Sequence, residues 1–201
     1  KRMRLEIHPT TPQQRIIKKT VDVLKRGGTI AYPTDTVYAI GCDIFEKKAL
    51  NRVYQIKQMD KSHPVAFVCA DLSDIAKYAI VDDRIYRFMK RLLPGAYTFI
   101  LPATREVPRI LMMKRKTVGI RVPNHPVPQA IVKELGNPIV STSATWEGEP
   151  LNDPDDLAAY YKQCEVVLDA GWGGLEPSTV IDLTGDVAEI VRKGAGPVDD
   201  L

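Results

Sequence analysis

The sequence predicts a single α/β domain over residues 1–201, built on a twisted, mostly mixed sheet flanked by helices. Apolar runs of strand length alternate with helical patterns along the whole chain, and such interleaving is typical of α/β folds. A chain of 201 residues can bury one full core but is short for two domains. No internal repeat or low-complexity tract interrupts this pattern.

Helix start and stop signals divide the chain into elements in order. Thr11, Pro12 and Gln14 resemble a capping box, and the helix that follows them should end at Gly27. Further helices are predicted over 47–57, 71–78, 82–93, 126–135 and 157–161. Strands are predicted on both sides of Pro33, after Pro64 at 65–69, and then at 97–101, 118–123, 138–140, 166–168, 179–183 and 188–191. The Gly/Pro/Asp-rich residues 147–156 are the candidate for a mobile flap.

Several classes of protein and site are disfavoured by composition. No apolar run approaches the roughly 20 residues that cross a bilayer, and no signal core follows the basic start, so we expect a cytoplasmic protein with no membrane partner. The three cysteines are far apart in the sequence, which favours reduced thiols over disulfides. The three histidines are equally scattered, and their spacing does not match that of a zinc site. The glycines of segment 171–174 match neither phosphate-binding nor dinucleotide fingerprints.

Charge is distributed unevenly along the chain. Residues 1–144 hold 25 Lys and Arg against 12 Asp and Glu, a net charge of +13, whereas residues 145–201 hold 3 against 13, a net charge of −10. This asymmetry indicates a basic surface for an anion such as a nucleotide or nucleic acid. The asymmetry is explained equally well if the charges serve only solubility and the two oppositely charged regions face each other across the fold.

Hydroxyl and cationic side chains recur at the ends of the predicted strands. They are Thr34, Thr36, Thr117, Arg121, Ser141, Thr142, Ser143, Ser178, Thr179 and Arg192, and Lys57 ends a predicted helix. Together they could line one basic cleft for carboxylate and phosphate oxygens. Two local alternatives stay open: the threonines satisfy only backbone groups, and Arg121 forms an internal ion pair. No nucleophile–base pair is evident, so the chemistry indicated is positioning and charge neutralisation.

Several motifs and single residues occur along the chain in a characteristic order. They are PTDTVY at 33–38, Lys57, Pro94-Gly95 with Thr98, VGIRVP at 118–123, STSA at 141–144, and Ser178-Thr179 followed by Arg192. In this order they resemble the YrdC-type threonylcarbamoyl-AMP synthase family over nearly the whole chain. The resemblance implies a sheet with a large basic concave face. It also implies a reaction that joins L-threonine, bicarbonate and ATP into threonylcarbamoyl-AMP and pyrophosphate for modification of a tRNA adenosine. Family members are also described as binding double-stranded RNA.

The resemblance also implies roles for individual residues. Thr34, Arg121 and Ser178 would hold threonine, with Arg121 forming a two-pronged contact to its carboxylate. The nucleotide would be bound by Lys57, Thr117, Ser141, Ser143 and Arg192. Lys57 and Arg121 would stabilise the charge that develops during the reaction. ATP enters as a substrate with Mg²⁺; no tightly bound cofactor and no protein metal site are expected.

Three positions depart from the family pattern. Met59 stands where a second cation is expected after Lys57, Thr145 stands where an asparagine is expected, and Val68 replaces a histidine. These departures resemble the YciO branch of the family. The extra C-terminal domain of longer members is not expected, since the chain ends soon after Arg192.

Two main functions follow from these observations. The first is a synthase of slow or altered activity, supported by the retained Thr34, Lys57, Arg121, Ser143 and Arg192. The second is a non-catalytic protein that binds tRNA, rRNA or other structured RNA in the same basic cleft, supported by the three departures and the basic charge. A small-molecule sensor that uses the same pocket is a third possibility.

Overall fold

A ten-stranded sheet lies at the centre of the computed structural model, which describes residues 2–59, 65–199 and 201. Within these residues the strands are β1 (Met3–Glu6), β2 (Ile30–Tyr32), β3 (Ala39–Gly41), β4 (Ala66–Val68), β5 (Tyr97–Pro102), β6 (Thr117–Arg121), β7 (Ile139–Ser143), β8 (Thr145–Trp146), β9 (Glu149–Pro150), β10 (Val166–Asp169), β11 (Thr179–Asp182) and β12 (Glu189–Arg192). The helices are α1 (Gln14–Lys25), α2 (Lys47–Ile56), α3 (Leu72–Tyr78), α4 (Asp83–Lys90), α5 (Pro126–Leu135) and α6 (Pro154–Tyr160).

The sheet is mixed, as predicted. Its strand order is β1-β10-β2-β3-β7-β4-β6-β5-β11-β12, and β8 and β9 form a separate hairpin. Parallel pairs such as β4 with β6 and β5 with β11 alternate with antiparallel pairs such as β5 with β6. The predicted α/β class with helices around a mixed sheet is therefore confirmed.

Helices cover the two halves of the sheet differently. In the half near β2 and β10, Ile30 and Val166 pack on α1 and α5, whereas Ala31 and Val167 pack on the opposite face near α6. In the half near β5 and β6, Phe99 and the residues of α3 and α4 share one core. Because side chains alternate along a strand, Thr98 points away from that core. This half of the sheet therefore leaves one face free to line a cavity.

Two predictions about local structure were wrong. Thr11 does not cap α1: the cap position is Gln13, whose side chain accepts a hydrogen bond from the His8 amide at 2.9 Å. The His8 ring nitrogen accepts the amide of Thr11 instead, at 3.0 Å. The predicted end of the strand at Val140 was also wrong, because β7 continues through Ser141, Thr142 and Ser143. Their backbone groups therefore belong to the sheet.

Other local signals worked well. Helix α5 has the predicted bounds and ends at Gly136, whose φ of 88° is the left-handed cap that glycine favours. The segment 147–156 contains the turn of the β8–β9 hairpin, and Trp146 stacks on Tyr160 with ring centroids 4.4 Å apart.

Strand β1 was not predicted; it pairs with β10 in parallel. Pro64, expected before β4, lies outside the described residues. No helix among the described residues is both long and apolar enough to span a membrane.

Candidate active site

A cavity of about 800 Å³ opens over the uncovered face of β4, β5, β6 and β11. Seven of the residues expected to bind substrate line this cavity: Thr34, Lys57, Arg121, Ser141, Ser143, Ser178 and Arg192. These residues are separated by up to 158 positions in the chain, from 34 to 192. The fold therefore gathers seven of the eight predicted site residues around one space.

Thr117 is the eighth and does not line the described part of the cavity, which reaches Met113 and Gly119 on that side. It begins β6, and its hydroxyl donates to the Lys114 carbonyl at 2.9 Å. Because Thr117 and Gly119 are two residues apart, they share one face of the strand. Thr117 therefore lies at the edge of the same surface.

Sheet register arranges the floor of the cavity in two rows. In the first row Arg121 is opposite Thr98, Thr98 is opposite Val180, and Val180 is opposite Arg192. In the second row Ala66 lies between Ser141 and Gly119. We call the side chains of Arg121, Thr98, Ser178 and Arg192 the arginine wall.

Gly119 forms part of the cavity floor and adds no side chain to it. A Cβ built on it would lie 3.4 Å from the Thr98 methyl and 3.6 Å from the Ala66 Cβ, which are ordinary contacts. The protein itself therefore does not require glycine at this position. The absent side chain leaves room for a ligand to approach the backbone.

Arg121 is 4 % exposed and is held by an internal ion pair. Its Nη2 donates to Asp35 Oδ1 at 2.6 Å and to the Gly95 carbonyl at 3.2 Å. Its other bonds go to Thr36 Oγ1 and to the Tyr97 carbonyl. The internal pair that the sequence left open is thus present, and these bonds use four of the five guanidinium N–H groups.

The threonines of the 34–36 turn also satisfy local groups. Thr34 Oγ1 donates to the Val37 carbonyl at 2.6 Å and accepts the Thr36 amide at 3.1 Å. Gly174 lies against this turn so closely that a Cβ on it would be 2.0 Å from the Thr36 carbonyl. The glycine segment 171–174, which matched no nucleotide fingerprint, therefore has a packing role.

Arg192 stands at the other end of the arginine wall. Its Nη2 donates to the Ser178 carbonyl at 2.7 Å and to the Ser178 hydroxyl at 3.2 Å, and that hydroxyl is 2.7 Å from Thr98 Oγ1. Burial, and then the positive charge of Arg121, lower the pKa of Arg192. Within the described part of the chain it forms no salt bridge, so its charge is available to an anion.

Lys57 lies at the C-terminal end of α2 and is surrounded by neutral oxygens. Its Nζ donates to the Ser143 carbonyl at 2.5 Å, to Thr145 Oγ1 at 2.9 Å and to the Tyr161 hydroxyl at 3.4 Å. Burial lowers the pKa of Lys57 to about 8. We call Lys57, Ser143, Thr145 and Tyr161 the lysine corner.

The three departures occupy different environments. Met59 lines the cavity and packs on the core, so this part of the wall is apolar. Thr145 also lines the cavity and binds Lys57. Val68 is fully buried and packs in the core that α1 and α5 cover. The first two departures therefore change the cavity, whereas Val68 does not line its described part.

The cavity has an excess of positive charge. Its described lining contains Lys57, Arg121 and Arg192 but neither Asp nor Glu. Among the described residues no group of three or more His, Cys, Asp or Glu side chains is gathered at one place. The lining therefore offers hydrogen-bond donors and cations for anionic oxygens.

Two residues of this site were given no role on the basis of the sequence. Thr98 was noted only as part of the family resemblance; it lies inside an apolar strand, and its register opposite Arg121 brings it to the cavity. Tyr161 follows the last turn of α6, where an aromatic residue most often reports core packing. For Thr98 the one polar position in an apolar run was a usable signal; for Tyr161 there was none.

Comparisons with known proteins identify a family, similar sequences and similar structures. A family model for Sua5, YciO and YrdC proteins, described as telomere recombination, matches residues 22–194. The uncharacterised YciO protein of Escherichia coli K12 is 44 % identical over 96 % of this chain and 95 % of its own length. Its crystal structure superposes with a TM-score of 0.94 at 42 % identity, covering 99 % of this chain and 98 % of that one.

Two further relatives are linked to threonine chemistry by their names. A threonylcarbamoyl-AMP synthase of Serratia proteamaculans is 32 % identical over 89 % of this chain and 96 % of its own length. The P. abyssi Sua5 structure complexed with L-threonine has a TM-score of 0.89 at 25 % identity, and covers 96 % of this chain and 57 % of that one. With its family model matched over residues 22–194, this chain belongs to the Sua5/YciO/YrdC family.

Proposed function

We propose that this protein is an L-threonylcarbamoyladenylate synthase-type nucleotidyltransferase of the cytoplasm. It would convert L-threonine, bicarbonate and ATP into threonylcarbamoyl-AMP and pyrophosphate for the modification of a tRNA adenosine. One observation carries the proposal: three cations and several hydroxyls line a cavity of about 800 Å³ whose described lining holds no carboxylate. Anionic substrates are what such a lining stabilises.

The reaction needs positioning and charge neutralisation. Threonine and bicarbonate first give a carbamate, with loss of water. A carbamate oxygen then attacks the α-phosphorus of ATP, and the bond from that phosphorus to the bridging oxygen breaks to release pyrophosphate. Negative charge grows on the phosphate oxygens during this step. Lys57 and Arg192 are the cations without a carboxylate partner in the described residues, and they suit this charge.

Threonine would bind beside the arginine wall. Arg121 has one N–H left after its bonds to Asp35, Gly95, Thr36 and Tyr97. We therefore expect a single hydrogen bond to the threonine carboxylate, rather than the two-pronged contact that the family resemblance implied. Ser178 and Thr34 would supply the neighbouring hydroxyls. Ser141, Ser143 and Thr117 would face the nucleotide.

The direct experiment is a synthesis assay. The protein is incubated with ATP, Mg²⁺, bicarbonate and labelled threonine, and threonylcarbamoyl-AMP and pyrophosphate are quantified together. We expect both products in equal amounts, and their loss in Lys57→Met but not in Lys133→Met, whose lysine lies exposed on α5. Neither product above the background of a heat-denatured sample would refute the proposal.

Non-catalytic binding of structured RNA is the second candidate. It is favoured by the apolar Met59 wall and by eight exposed basic side chains on α4 and on the segment from 105 to 116. Phosphate contacts would dominate such binding, so the affinity should fall steeply with salt. Salt-sensitive binding of a structured tRNA, together with no synthesis, would favour this candidate. In contrast, synthesis with weak and salt-insensitive RNA binding would exclude it.

A further inference from the structure

Tyr161 makes an unusual set of contacts for a buried tyrosine. Its ring is 4 % exposed, and its hydroxyl donates to the Thr145 carbonyl at 2.6 Å. The same oxygen accepts the Thr145 amide at 3.2 Å. One side chain from the end of α6 thus binds both backbone groups of a single residue at the start of the β8–β9 hairpin.

The same hydroxyl oxygen also reaches the cavity lysine. Lys57 Nζ lies 3.4 Å from it, and 5.9 Å from the centroid of the Tyr161 ring. A tyrosine hydroxyl has one proton to donate and two lone pairs to accept hydrogen bonds. The Thr145 carbonyl, the Thr145 amide and Lys57 use all three. The network therefore leaves the hydroxyl fully satisfied with Lys57 as one of its partners.

We propose that Tyr161 is a positioning residue that holds the Lys57 ammonium and the hairpin residue Thr145 in fixed relation at the phosphate-binding side of the cavity. The identity of the anion as a nucleotide phosphate rests on the proposed function. The stabilisation of the charged lysine by Tyr161 is independent of that function. The arrangement lets a lysine stay charged with no carboxylate partner among residues 2–59, 65–199 and 201, so its charge can act on a ligand.

Neutral groups surround this lysine on every described side. Ser143 and Thr145 contribute oxygens from the sheet and the hairpin, and Tyr161 is the titratable group that contacts it. Burial raises the pKa of Tyr161, so its hydroxyl keeps its proton near neutral pH. No salt bridge of Lys57 occurs within the described residues. The state of the lysine therefore depends on hydrogen-bond acceptors and on burial.

The test compares Tyr161→Phe with a matched control, Tyr97→Phe. Tyr97 is 6 % exposed and its hydroxyl donates to the Pro197 carbonyl at 2.7 Å, on the helix-covered side of β5. The pKa of Lys57 is measured from the pH dependence of its acylation rate, followed by mass spectrometry of the peptide that contains it. In Tyr161→Phe the ammonium loses an acceptor. We expect its pKa to fall by about half a unit or more, which makes acylation at pH 7 about threefold faster.

The outcomes separate this proposal from the proposed function. An unchanged Lys57 pKa in folded Tyr161→Phe, or an equal change in Tyr97→Phe, would overturn the positioning role. A shifted pKa in a protein that makes no threonylcarbamoyl-AMP leaves the positioning role standing and refutes the synthase. If synthesis occurs, Tyr161→Phe should raise KM for ATP about tenfold with a smaller effect on KM for threonine.

A second substitution covers the case in which Tyr161→Phe does not fold. Site-specific 3-fluorotyrosine at position 161 keeps the ring and the hydroxyl but weakens the oxygen as an acceptor. We expect the Lys57 pKa to shift in the same direction by a smaller amount. An unchanged or raised pKa in this folded protein would also overturn the proposal.

Discussion

The arginine wall and the lysine corner place positive charge in one cavity by two different means. In the arginine wall, Arg121 sits on a central strand and is bound by Asp35 at 2.6 Å. In the lysine corner, Lys57 ends a helix and is bound by neutral oxygens alone among the described residues. The first arrangement compensates the charge within the protein, whereas the second leaves it for a ligand.

This difference follows from burial. Both side chains of the Arg121–Asp35 pair are almost buried, and a buried charge without its partner is expensive. Lys57 is half-buried, so its charge is tolerated at the cost of a lowered pKa. We infer that Arg121 contributes mainly to the stability of the site and Lys57 mainly to anion binding. The following experiments test this division.

The largest effect is expected on stability from Asp35→Ala. Removing this carboxylate leaves the Arg121 guanidinium buried without its partner, so the free energy of unfolding should fall by about 3–5 kcal/mol. Urea denaturation measures this change. The control is Asp155→Ala, which breaks the exposed pair with Arg4 and should cost less than about 1 kcal/mol. Equal losses in the two variants would remove the distinction between the arginine wall and the surface pairs.

Lys57→Met should weaken ATP binding by about 2–3 kcal/mol, because a charge-assisted contact is lost. The free energy of unfolding should stay constant or rise, since a half-buried charge is removed. Calorimetric titration with Mg²⁺-ATP and urea denaturation measure the two quantities. A destabilised variant with normal ATP affinity would assign Lys57 to the fold instead.

The pH dependence of ATP binding should follow Lys57. Below its pKa of about 8 the amine is charged and the affinity should be constant with respect to this group. Above that pKa the free protein loses the charge, and the affinity should fall by up to about tenfold per pH unit. Titrations from pH 7 to pH 9.5 measure this, because these limits lie about one unit below and about one and a half units above that pKa. A decline of the same size in Lys57→Met would show that another group titrates.

Gly119→Ala should lower substrate affinity about fivefold with little effect on stability. The added methyl group meets the protein only at ordinary contact distances, but it raises the cavity floor between the two regions. Gly41→Ala is the opposite case, since its Cβ would lie 2.1 Å from the Val140 carbonyl, and it should destabilise the fold. Strong destabilisation by Gly119→Ala would mean that this glycine serves packing.

The smallest effect is expected from restoring the family pattern in Met59→Arg with Thr145→Asn. Both positions line the cavity, so the variant adds a cation and an amide next to Lys57. Turnover should rise about threefold if the added groups reach the developing charge. Steady-state synthesis measures it, with Met59→Leu as a control for packing. Unchanged turnover would show that these departures do not limit the reaction.

Much of the fold could be predicted from local patterns. Helix α5 was placed to the residue because proline starts it and glycine ends it, and β5 was found from an apolar run. The capping of α1 was predicted wrongly because His8, outside the helix, binds the amide of Thr11. Strand β1 was missed because its four residues pair with β10, more than 160 positions later.

The sequence by itself determined which residues could carry the chemistry, since hydroxyls and cations stand at the ends of predicted strands at Thr34, Arg121 and Arg192, and Lys57 ends a predicted helix. Only the tertiary structure decided how they are used. It pairs Arg121 with Asp35, 86 positions away, and it brings Tyr161 to Lys57 across 104 positions. Local sequence reports periodicity and caps, because those depend on neighbours in the chain. The partner of a buried charge depends on the packing of distant elements, and this packing separates the arginine wall from the lysine corner.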